Sequence, residues 1–122
     1  MSTLPMSDLP ANPSIPLTPE ARTAYEDLYK KIQKGIDSTM DLAVIQPLNM
    51  WWKEVDQVLT EDDLYKKTKD TEVFDRLQKQ INHTNEGLAT LKDQISAIAS
   101  HFALAGEIMA AIEKVLTIIP GV

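Results

Sequence analysis

A chain of 122 residues with 43% hydrophobic content supports one modest core rather than two. Its 18 acidic and 12 basic side chains leave a formal charge of -6, the wrong sign for covering phosphates, so nucleic acid is not expected as a partner. The absence of cysteine excludes disulfides, thiolate metal sites and cysteine nucleophiles.

Residues 1–18 carry Pro5, Pro10, Pro13 and Pro16, with Pro19 following. Each proline fixes its own φ and moves its predecessor out of the helical region, which predicts an extended Pro-rich arm. Leu4, Met6, Leu9, Ile15 and Leu17 give that arm apolar side chains suited to a groove. Asp8 and the prolines stand where a signal peptide would have its apolar run. Sec-type export is therefore not expected, and the localisation is cytoplasmic by default or by signal-independent export.

A first helix is expected from residue 19, with Thr18 as N-cap, Pro19 in the first position and Glu20 near the positive end of the dipole. Tyr25, Leu28, Tyr29, Ile32, Ile36, Met40 and Ala43 share one face and carry the helix to about residue 45. Pro47 has no N–H for the carbonyl of Ala43 and crowds that turn, predicting a kink or stop. A second helix is expected over 48–59, on which Trp51 and Trp52 stand about 100° apart, one toward the core and one lateral. Thr60 ahead of Glu61, Asp62 and Asp63 is a near capping box and opens a segment over 61–68, closed by Lys66, Lys67 and Lys69.

Asp70 and Thr71 are adjacent N-cap candidates for a last helix over 71–119. Its a positions are Phe74, Ile81, Leu88, Ile95, Phe102, Met109 and Leu116; its d positions are Leu77, Thr84, Leu91, Ile98, Ala105, Ile112 and Ile119. Unbroken, such a helix spans about 70 Å and makes the protein a rod. The stretch Asn82-His83-Thr84-Asn85-Glu86-Gly87 is poor in helix formers and offers a break that would give a compact bundle. The heptad register runs through it without a stutter, which favours continuity. The expected fold is all-α: an elongated antiparallel helical hairpin or coiled-coil-like bundle, kinked at Pro47, with residues 1–18 as an extended arm and 19–122 as one helical domain.

The flanks of the last helix change character near Gln94. Before it stand Asp75, Arg76, Gln78, Gln80, Asn82, His83, Asn85 and Lys92; beyond it stand Ala97, Ala99, Ala103, Leu104, Ile108, Ala110, Ala111, Val115 and Ile118. A single antiparallel neighbour covers only a narrow seam, so the carboxyl half requires at least two neighbours or a non-aqueous surface. The expected interface is Trp51, Trp52, Ile98, Phe102, Leu104, Ile108, Met109, Ile112, Val115 and Ile119. Through it the chain would oligomerise or bind another helical protein. The alternative is a membrane-surface or pore-related role for residues 94–122, which lack the lysines and arginines that anionic headgroups attract.

Chemistry is not expected. No phosphate loop, zinc-protease motif, calcium loop or nucleophile elbow occurs. His83 and His101 would lie about 27 Å apart on a continuous helix, too far to share a metal or a proton. No Glu-x-x-His pair is present for a carboxylate metal site. The reading is therefore of a non-enzymatic interaction module without metal or cofactor.

Overall fold

The computed structural model describes residues 17–98 and 102–118. Four helices account for most of these: α1 (Pro19–Asp37), α2 (Leu42–Thr68), α3 (Thr71–Ala97) and α4 (Ala105–Ile118), with no strand among the described residues. The expected arm lies outside the described residues apart from Leu17 and Thr18.

α1 starts where its capping chemistry requires. The Thr18 hydroxyl accepts the Ala21 N–H at 3.1 Å, and Pro19 occupies the first turn. The helix ends at Asp37, short of the limit that the apolar spacing suggested, because Ser38 and Thr39 turn their hydroxyls onto the backbone. Ser38 Oγ donates to the Gly35 carbonyl at 3.0 Å, and Thr39 Oγ accepts the Asp41 N–H at 3.1 Å. Met40 continues the apolar periodicity yet is 94% exposed.

Asp41 caps α2 by accepting the Ala43 N–H at 3.0 Å, which places Pro47 in the second turn rather than between two helices. The carbonyl left without a helical donor belongs to Ala43, an exposed residue where water can reach it. Separate helices over 48–59 and 61–68 are thus replaced by one continuous helix through Pro47 and Thr60. It stops at Lys69, whose left-handed backbone (φ 56, ψ 27) and N–H bond to the Tyr65 carbonyl at 2.7 Å form the helix end. Asp70 then caps α3 through the Glu72 N–H at 2.7 Å.

α3 passes through Gly87 unbroken, as the register indicated, but the helix expected over 71–119 ends at Ala97. Chain reversal between Ile98 and Leu104 brings α4 back onto the body. α1 packs on α2 and α4, and α3 packs on the same two helices, so the four close a ring around one core. Leu17 near Asp62, Tyr65 near Phe74, and Gly35 near Phe102 show that successive helices run in opposite directions. The rod is corrected to a closed bundle. The physical reason lies in α4, where Ala105, Ile108, Ala111, Ile112 and Val115 are all buried. Two intramolecular neighbours, α1 and α3, supply the cover that a narrow seam could not.

Two close approaches fix the ring. A Cβ on Gly87 would sit 1.9 Å from Trp51 Cη2, so the indole occupies the room that a side chain would need. Gly35 likewise admits Phe102 and Ile108, whose atoms would lie 2.9 and 2.8 Å from a Cβ there. The two tryptophans divide as their angular spacing requires. Trp51 faces α3 and lies 5.6 Å from the His83 ring, while Trp52 stacks on Tyr29 of α1 at 5.0 Å.

Candidate docking surface

The polar groups inside the bundle serve structure. Tyr25 Oη donates to Asn85 Oδ1 at 2.6 Å across the core, and burial pushes the phenol well above its usual range. The fully buried Asp62 carboxylate accepts the Leu17 N–H at 2.9 Å, Arg22 Nη1 at 2.9 Å and Lys66 Nζ at 2.8 Å. Arg22 also reaches Asp63 at 2.7 Å and Glu26 at 2.8 Å, and the bond to Asp63 is the chief reason its charged form is favoured. This cluster fastens the entry of the chain into α1 to the far end of α2. Its donors and acceptors satisfy one another, so it offers no group for a substrate. Between α2 and α3, Glu54 accepts Gln80 Nε2 at 2.9 Å and lies 3.2 Å from His83 Nε2. No set of three side chains among the described residues could hold a metal ion.

What the surface offers is apolar. At the end of the bundle where α2 begins and α3 finishes, a shallow groove of about 270 Å³ runs between those helices. Val44, Leu48 and Ile95, all buried in the core, form its floor. Ala43 and Pro47 form one wall, and Gln94, Ala97 and Ile98 the other. Ala43, Pro47 and Met50 succeed one another at the spacing that keeps them on a single helix face. Met50 is 57% exposed, Leu42 64%, and Met40 stands in the connection leading to α2. A larger and more open depression of about 480 Å³ between α1 and α4 is lined by Glu20, Ala110, Glu113, Lys114, Thr117 and Ile118.

The expected interface residues fall in different places. Phe102, Ile108, Ile112 and Val115 are buried in the core of the single chain. Leu104 and Met109 are half-buried against that core. Trp51 and Trp52 are also half-buried, one against α3 and one against α1. Of the ten, Ile98 lines the groove, while Ile119 lies outside the described residues. The residues not anticipated are Met40, Leu42, Pro47, Met50 and Ala97. A signal for them existed in Asp41, a good N-cap that detaches Met40 from the first helix and starts a new face at Ala43.

No protein-family model, curated protein or solved structure matches the chain. No helix among the described residues is long and apolar enough to cross a membrane. Any functional reading therefore rests on the groove and its surroundings.

Proposed function

We propose that this chain is a non-enzymatic interaction module that docks a helical segment of a partner protein in the groove between α2 and α3. The observation that carries the reading is that apolar groove together with Met50, which follows Ala43 and Pro47 on one face of α2 and is 57% exposed. In this reading α2 and α3 act as an antiparallel coiled-coil-like hairpin, and the groove along its outer side takes a third helix. Methionine suits such a surface because its flexible, polarisable thioether adapts to different apolar partners. Membrane-surface insertion of residues 94–122 is the weaker reading, because it would need the apolar side chains that α4 buries against α1 and α3.

Calorimetric titration of the whole chain with a neutral amphipathic helical peptide, leucine on one face and glutamine on the other, tests the proposal. Saturable binding is expected, weakened about tenfold or more in Met50→Ser, with the melting temperature of that exposed-site variant unchanged. Absence of binding, or equal binding by the variant, contradicts it.

A further inference from the structure

Three of the four helices begin on a side chain that caps them: Thr18 accepts the Ala21 N–H, Asp41 the Ala43 N–H and Asp70 the Glu72 N–H. The start of α4 has no such mark. The residue before it is Leu104, whose side chain has no oxygen to offer the free N–H groups of the first turn. The end of α3 is equally plain. Whereas α2 stops on the left-handed Lys69, Ile98 keeps a negative φ (φ -114, ψ 12) and its N–H bonds to the Ile95 carbonyl at 3.1 Å. From Ile98 to Leu104 the sequence holds neither glycine nor proline, the residues that stop a helix, and it includes two alanines and a leucine, good helix formers.

Local chemistry therefore favours one helix through this stretch, and tertiary packing holds the reversal. α4 turns back because Ala105, Ile108, Ala111, Ile112 and Val115 are buried against α1 and α3. Those contacts do not require that α4 come from the same chain. When two copies exchange α4, each keeps the same burial, and the chain gains the backbone hydrogen bonds that the reversal forfeits. The opposing cost is the association of two chains, so the exchange depends on concentration. An exchanged α4 leaves from the end of the bundle that carries the connection between α1 and α2, since Gly35 of α1 meets Phe102 there. Met40 and Leu42, 94% and 64% exposed, stand at that connection, where a second copy would cover them.

We infer that this chain dimerises by exchanging α4, with α3 and α4 of each copy joined in one helix of about 70 Å over residues 71–118. The inference does not depend on what occupies the groove between α2 and α3. Each α4 fills the place between α1 and α3 of the second copy, and the closed bundle of one chain is the form at low concentration. Opening without a second copy is not an alternative, because it would leave the buried face of α4 in water.

The test refolds the full chain from urea at rising concentration, as an equal mixture of isotope-labelled and unlabelled copies, and separates monomer from dimer by size exclusion. A carbodiimide then condenses the amine and carboxylate of the Lys92–Glu113 ion pair between α3 and α4 into an amide. In the closed monomer that link lies within one chain. In the exchanged dimer it joins two, so linked peptides that pair a labelled with an unlabelled segment should appear. Ala103→Pro blocks a helix through the connection. Ala103 is exposed and second in the turn closed by the Ala105 N–H on the Phe102 carbonyl, a position that proline favours. The variant should lower the dimer fraction at least about tenfold and leave the helicity of the monomer intact. Monomer at every concentration overturns the inference, as does a dimer whose Lys92–Glu113 links all fall within one chain. Undiminished dimerisation of a folded Ala103→Pro variant also overturns it. Should that variant fail to fold, the mixed links of the unaltered chain decide alone.

Discussion

Gly87 and Trp51 set the distance between α2 and α3. Adding a methyl group at Gly87 places it 1.9 Å from the indole, far inside any tolerable contact, so Trp51 or the helix itself must move. Gly87→Ala is therefore expected to lower stability by about 1–3 kcal/mol, the usual cost of overpacking a core. Urea denaturation measures it. Were the glycine only a weak point in α3, the same change would raise stability by up to about 1 kcal/mol through helix propensity. At this scale the sequence was partly legible. The threonine and aspartate caps at Thr18 and Asp70 were readable because a cap acts within three residues of itself. The role of Gly87 was not, because the indole that needs the space lies 36 positions away and belongs to another helix.

Helix α4 shows how an element's character can be legible while its neighbours are not. Its broad apolar circumference did call for two neighbours, and α1 and α3 of the same chain are those neighbours. The reversal between Ala97 and Ala105 left no mark in the heptad pattern, since Ile98, Phe102 and Ala105 keep the register on both sides of it. Periodicity reports which face is apolar, and it does not report whether the covering helix comes from within the chain. Ile112 is fully buried, so Ile112→Ala should cost about 2–5 kcal/mol in thermal or urea unfolding of the single chain. A variant that changes the mass in solution and leaves unfolding untouched would instead return α4 to the role of an external interface.

On the scale of the whole molecule, folding buries most of the large apolar side chains among the described residues and leaves Met40, Leu42 and Met50 exposed near the start of α2, with Leu64 less so toward its far end. The helical class was legible throughout the chain, whereas the candidate surface was legible only in fragments. Ile98 was named as an interface residue, whereas Met40 was assigned to a packing face by its spacing and Met50 carried no assignment. They lie at the surface because Asp41 restarts the helix and rotates the turns that come after it. Methionine methyl groups provide a direct reading, as Met40 and Met50 are exposed just before and within the first turns of α2 while Met109 is half-buried on α4. In methyl NMR spectra of the full chain saturated with the leucine-faced amphipathic peptide, the signals of Met40 and Met50 should move and that of Met109 should stay in place. Movement of Met109, with Met40 and Met50 unaltered, would contradict the account and place recognition on α4.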